Sequence, residues 1–279
     1  MRHTTYIRLY TYFFILLFFA GSFSMSFASS TKFISSHNEQ KMTSRLSEFL
    51  DTHDAITPKM KEKAIQKVID FNQNFNISSK NEAKTLRRLF FSVQETFLKE
   101  YVLYASFFQM LDSGKFDCLT GSLLYAIFLE EIKLKGGFNY QYNIVQMPTH
   151  IFIKIELSDK SEIIFESTSP VKGFIATQNG VALYLQEQLQ EQNKIAQEAQ
   201  QKETLLLSNQ QLLNNYVTLE NASALLYFNQ GVLFFNQRKF GKSLRMAKNA
   251  LFFEKNAVFY ELAQLSLKES EKNNTIADN

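Results

Sequence analysis

Residues 114–122 read Gly114-Lys115-Phe116-Asp117-Cys118-Leu119-Thr120-Gly121-Ser122, and an apolar run follows to about Leu134. Gly114 interrupts the helical pattern before it. Asp117 is a residue type whose side chain caps helix N-termini, so the spacing predicts a new helix beginning at Cys118 and ending at Gly136-Gly137. Three segments of strand character come next, over 140–146, 150–157 and 162–167. Met147-Pro148 and Ser158-Asp159-Lys160-Ser161 separate them as turns. Helices followed by two or three short antiparallel strands predict an α+β fold.

Upstream, residues 42–111 follow a helical period. Leu46, Phe49 and Leu50 share a face, and Met60, Ala64, Val68 and Phe71 do so again after the helix start at Thr57-Pro58. Residues 83–111 read as one long amphipathic helix carrying Leu86, Leu89, Phe90, Val93, Phe97, Val102 and Phe108. Downstream, residues 184–203 are rich in Gln and Glu and predict a solvated helix or linker without chemistry. From Asn221 the helical pattern returns. Tyr227, Gly231, Phe234, Phe240, Ala247 and Ala250 stand at positions that resemble a tetratricopeptide repeat, with a second half-repeat over 258–267. Ser243 replaces the usual Ala, and Lys255 stands near the usual Pro. One and a half such repeats cannot bury their own core, so they must pack on the preceding domain or on a partner.

The N-terminus predicts an export signal. Arg2 and Arg8 precede a short apolar run over 10–20, and Ser26-Phe27-Ala28 fits a small-x-small cleavage site, giving a mature protein from Ser29. The competing reading keeps the segment as a membrane anchor. Thr11, Ser22, Ser24 and Ser26 dilute the apolar stretch below the ~20 residues that a span needs. The expected organisation is therefore a signal at 1–28, a disordered linker at 29–41 and a domain with N-terminal helices at 42–183. A Gln-rich helical linker at 184–220, a repeat-like helical region at 221–270 and a disordered tail at 271–279 complete it. The location is periplasmic or secreted, with no membrane contact beyond the signal.

Composition removes several function classes. A net charge of +3 is too small to argue for nucleic acid. Four histidines and one cysteine without close ligand spacing argue against a metal site, and no Gly-rich phosphate loop is present, so no cofactor is expected. The single cysteine cannot close an internal disulfide in an oxidising compartment. It is either buried and inert or kept for reactivity.

Cys118, His150 and Glu166 are the candidate catalytic residues. A helix N-terminus presents positive partial charge and unpaired N–H groups to Cys118, which favours a thiolate. His150 heads its strand and shares a face with Phe152 and Lys154. A turn of odd length after the 150–157 strand puts Glu166 on that face, opposite or one diagonal step from His150. An even turn puts it on the other, and the turn drawn over 158–161 is even, so a shift or a bulge is required. Each residue also has a plain reading: a small buried thiol, a half-buried histidine at a strand start, a solvated charge at a strand end. His37 and His53 read as exposed residues without chemistry.

Asp117-Cys118-Leu119-Thr120-Gly121-Ser122-Leu123-Leu124-Tyr125, Pro148-Thr149-His150-Ile151-Phe152 and Phe165-Glu166-Ser167-Thr168 together resemble the transglutaminase-like superfamily, relatives of papain-type cysteine peptidases. The resemblance spans 116–174. It looks most like the bacterial branch in which such a domain precedes tetratricopeptide repeats. It implies Cys118 as nucleophile, His150 as base and Glu166 as the acid that orients it. Two features depart from the pattern: the acid is Glu166 in Glu-Ser-Thr where Asp-Pro-Thr is usual, and the aromatic after the histidine is Phe152, not Trp. The resemblance implies a cysteine hydrolase or acyltransferase acting on a peptide or protein amide through a thioester. The alternative is an inactive scaffold whose repeat-like helices bind a protein partner.

Overall fold

The computed structural model describes residues 39–77, 80–147, 149–202 and 215–277. The expected signal segment, its cleavage site and most of the expected linker at 29–41 lie outside them. Among the described residues no helix is long and apolar enough to cross a membrane. The chain divides into two compact units, Met1–Arg45 and Leu46–Asn279. Residues 39–50 form the first helix, α1, and the architecture below belongs to the second unit.

Helix α2 (Pro58–Asn74) opens with Pro at its first turn, and the Thr57 hydroxyl accepts from Met60 N. Helix α3 (Glu82–Phe97) is capped by Asn81 and buries Leu86, Leu89, Phe90, Val93 and Phe97 on one face. The single helix expected over 83–111 does not continue past Phe97. Strand β1 (Glu100–Tyr101) and a turn with Tyr104 in the left-handed region, φ 61°, intervene before helix α4 (Phe107–Ser113). The cause is local: Ser106 and Gln109 form a capping box that restarts the helix, while β1 pairs in parallel with β2 (Lys115–Phe116).

Helix α5 (Cys118–Gly136) runs through the centre, buried over most of its length, and ends at Gly137 with φ 64°. Its Tyr125 stacks on Phe90, packs edge-on to Phe165 and donates to Phe90 O at 2.9 Å. The sheet that α5 covers has five antiparallel strands, not the two or three expected, in the order β6-β5-β4-β3-β7. These are β3 (Gln141–Gln146), β4 (Ile151–Glu156), β5 (Glu162–Phe165), β6 (Phe174–Ile175) and β7 (Asn215–Val217). Helix α6 (Gln178–Lys202) starts before the expected linker. Val181, Tyr184 and Leu185 pack with Met147, Phe152 and Ile164 against the other face of the sheet. The mixed architecture is α+β, with the sheet between α5 and the first turns of α6.

Helices α7 (Ala222–Asn236), α8 (Phe240–Phe253) and α9 (Ala257–Ala277) complete the chain, α9 continuing well into the expected tail. Gly231 sits where α7, α8 and α9 meet; an added Cβ would lie 3.0 Å from Leu262 Cδ2. Ser243 Oγ donates to Gly231 O at 2.8 Å and also meets Ser266 Oγ, so a hydroxyl fills the place expected for an alanine methyl. These helices pack on the preceding residues. Ser223 bonds Glu48, Lys242 and Arg245 pair with Asp54, and Gln230 Nε2 donates to Tyr104 O at 2.9 Å.

Candidate active site

The left-handed turn at Gly114, φ 80°, reverses the chain between α4 and β2. Its carbonyl accepts from Lys99 N and Glu100 N, and Phe116 O accepts from Val102 N, so β1 clamps the two residues that lead into the cysteine. An added Cβ on Gly114 would meet Lys99 Cγ at 2.5 Å, which leaves glycine as the residue that fits. Asp117 follows in extended conformation as the N-cap. Its carboxylate accepts from Thr120 N at 2.8 Å, and Thr120 Oγ1 accepts from Asp117 N at 2.9 Å. Cys118 is thus the first helical residue and is partly exposed, at the positive end of α5.

One turn further along, α5 touches both segments that carry the other two candidates. Ser122 Oγ donates to Ile151 O, next to His150, at 3.2 Å. Gly121 lies against Ser167, next to Glu166; an added Cβ would sit 2.8 Å from Ser167 Cβ. Small side chains at 121 and 122 therefore set how closely the helix approaches the ends of β4 and β5.

His150 closes the β3–β4 hairpin, its carbonyl accepting from Met147 N at 2.8 Å. Strands β4 and β5 pair Ile153 with Phe165 and Ile155 with Ile163. The connection runs from Leu157 to Ser161 and is odd in length. Leu157 N donates to Ser161 O, and Lys160 occupies the left-handed position, φ 69°. Carried one step on, this register sets Glu166 opposite Phe152, one diagonal step from His150. The expected shift in turn boundary is the one that occurs.

The three candidate residues meet. His150 Nε2 lies 2.5 Å from Glu166 Oε2, and Cys118 is near enough to the same imidazole to raise its pKa. Glu166 is nearly buried, with 6% of its surface exposed, and all its remaining capacity is filled. Oε1 accepts from Thr168 N at 2.8 Å and from Thr168 Oγ1 at 2.6 Å, and Oε2 accepts from the Tyr184 hydroxyl. Burial is the largest influence on Glu166 and favours its neutral form. The hydrogen bond and charge of His150 outweigh it, helped by Thr168 and Tyr184, and hold the carboxyl below its usual range. Burial is also the largest influence on His150 and opposes its charge. Cys118 beside the ring, and then the hydrogen bond and charge of Glu166, outweigh it and raise the imidazole to about 10.

Two further groups border the thiol. Asp117 is buried, and desolvation pushes its carboxyl up to about 6 against hydrogen bonds from Thr120, Asn229 and Leu119. Tyr101 packs edge-on to Phe116, 5.9 Å between centroids, and is half exposed. Its phenol is pushed up to about 12 by burial first and then by the nearness of Cys118, Asp117 and Glu166.

Tyr184 and Tyr101 were not singled out by the sequence. The signal for Tyr184 was Val181, Tyr184 and Leu185 at helical spacing just ahead of the Gln-rich run. His53, expected to be exposed, is half-buried with its ring 5.0 Å from Phe108 and its pKa lowered by burial. Among the described residues no cluster of three or more metal-ligating side chains occurs. No protein-family model matches the chain, and neither a curated protein nor a solved structure matches it.

Proposed function

We propose that this protein is a transglutaminase-like cysteine hydrolase or acyltransferase, exported from the cell, that acts on a peptide or protein amide. The observation that carries the reading is the gathering of Cys118, His150 and Glu166, with His150 Nε2 2.5 Å from Glu166 Oε2, Cys118 beside the imidazole and the thiol on the first residue of α5. Thiol, imidazole and acid in series are what nucleophilic acyl transfer requires. In this reading α5 and the antiparallel sheet are the superfamily's core, and α7 to α9 are a tetratricopeptide-like segment that shapes or recruits.

With Nε2 held by Glu166, Nδ1 is the nitrogen that holds the proton drawn from the thiol, so the pair starts as imidazolium beside sulfur. The sulfur then attacks the amide carbonyl, forming a C–S bond and a tetrahedral oxyanion. The Cys118 N–H at the helix end is one donor placed for it. Collapse breaks the C–N bond, and the imidazolium returns its proton to the leaving amine. A thioester remains. Water or a second amine, deprotonated by His150, resolves it, so hydrolysis and transamidation share these steps. The chemistry calls on no cofactor.

The test is the pH dependence of iodoacetamide alkylation of Cys118 in the parent protein and in His150→Ala. The expected result is reactivity that persists to about pH 6 in the parent and falls by on the order of 100-fold at that pH in the variant. A thiol inert until the protein unfolds, or one indifferent to His150, overturns the reading. A second reading, a non-catalytic scaffold, draws on Phe252, 86% exposed, and on exposed Tyr260, both on the terminal helices. That overturning result favours it.

A further inference from the structure

The first turns of α6 are placed by local contacts. Thr177 Oγ1 accepts from Gly180 N, and Thr177 O accepts from Val181 N. An added Cβ on Gly180 would meet Ile175 Cγ2 at 2.9 Å, so the helix starts hard against β6. Val181 then enters the apolar cluster of Met147, Phe152 and Ile164. Tyr184, one turn on, sets its ring edge-on to Phe152, 5.1 Å between centroids. Phe152 in turn stacks with His150 at 6.3 Å. The Tyr184 hydroxyl ends on Glu166 Oε2, the same oxygen that faces His150 Nε2.

Resting on the function proposed above, we infer that Tyr184 is a positioning residue of the site, which holds the Glu166 carboxylate in line with His150. The need arises from the chain's own acid. A glutamate has one more rotatable bond than an aspartate and must be fixed at both oxygens to keep one geometry. Thr168 fixes Oε1 through two donors. Oε2 has Tyr184 as its donor besides the imidazole. Burial and the charge of Glu166 keep the Tyr184 phenol protonated, so it remains a donor throughout the working range and cannot take the proton of His150. By stabilising the carboxylate form, the phenol also keeps that proton on the imidazole, not on Glu166.

The variant Tyr184→Phe keeps the ring on Phe152 and deletes only the donor. Loss of a hydrogen bond to a carboxylate raises its pKa, so the acid limb of Cys118 alkylation moves to higher pH, by on the order of one pH unit. Acyl transfer slows by roughly 5- to 50-fold. Tyr184→Met, which fills much of the ring's volume without a donor, gives the same displaced limb. Both variants are read only at temperatures where near-UV circular dichroism shows native packing. A packing role alone leaves the acid limb of Tyr184→Phe on that of the parent, and that superposition overturns the inference while the proposed function stands. A parent thiol without pH-dependent activation overturns the proposed function, and the role of Tyr184 falls with it.

Discussion

Two carboxylates flank the thiol and its base, and they behave oppositely. Asp117 at the start of α5 and Glu166 at the end of β5 are both nearly buried, 1% and 6% exposed, and each accepts several hydrogen bonds. Yet Asp117 is raised to about 6 and Glu166 is lowered. The number of donors does not separate them. What separates them is a cation: Glu166 faces an imidazole that is raised to about 10, whereas the donors on Asp117, from Thr120, Asn229 and the Leu119 backbone, are neutral. Desolvation penalises a buried charge more than neutral hydrogen bonds recover, and an opposite charge at contact reverses the sign. One carboxyl is therefore built to cap a helix, the other to hold a proton on its neighbour.

Glu166→Gln removes the charge while keeping the shape, and it breaks the comparison most strongly. The raised pKa of His150 depends on that charge and hydrogen bond. Under the proposed acyl transfer, the imidazolium needed to protonate the leaving amine persists in the parent until about pH 10, so the alkaline limb of turnover is expected there. In Glu166→Gln that limb falls toward neutrality, and turnover at pH 8 drops by on the order of 100-fold or more. Stability follows the same sign. The His150 contribution is complete below about 6.5 and is lost as pH rises through about 10. The Glu166 contribution is complete above about 4.5 and is lost as pH falls. A pH–rate profile beside a pH series of denaturant melts separates the two.

Asp117→Asn tests the other side. Between 3.8 and about 6 the folded protein keeps a proton on Asp117 that the unfolded chain has released. Stability therefore falls as pH rises through that window and levels off above it, by roughly 3 kcal/mol at most. Asparagine caps a helix as well as aspartate does and never ionises. The stability difference between parent and variant, measured by urea melts from pH 4 to 8, should move in favour of the variant as pH rises. If the variant instead loses stability uniformly, Asp117 is held as a carboxylate and the contrast with Glu166 fails.

The legible parts of this site are those written in local chemistry. Gly114, the Asp117 cap and Gly137 sit at backbone positions that their residue types announce, and all three occur. Gly121 and Ser122, small residues one turn after Cys118, make the close helix–sheet approach. The register of Glu166 was legible as a condition but not as a boundary, because Lys160, not a glycine, takes the left-handed turn position. The break after Phe97 was hidden by apolar periodicity running on through Val102 and Phe108, although Ser106 and Gln109 carried the restart signal. Tyr184 and β7 were least legible. Their partners, Glu166 and β3, are distant in sequence, and the composition around them is that of a linker.

The smallest expected effect lies where the terminal helices reach the site. Asn229 on α7 donates to Asp117 Oδ2 at 3.4 Å, a long bond, while its neighbour Gln230 holds Tyr104 O at 2.9 Å. Asn229→Ala removes a donor that favours the charged form of Asp117, so the variant raises that carboxyl further. The cost, below about 1 kcal/mol, should be near zero at pH 5, where the carboxyl is mostly protonated, and should grow toward pH 8. In an Asp117→Asn background the pH dependence of that cost should vanish, since no charge is left for Asn229 to serve. A cost that stays constant with pH in both backgrounds would mean that α7 only packs against the start of α5. A cost that grows with pH in the parent alone would mean that the terminal helices set the electrostatics one residue from the thiol.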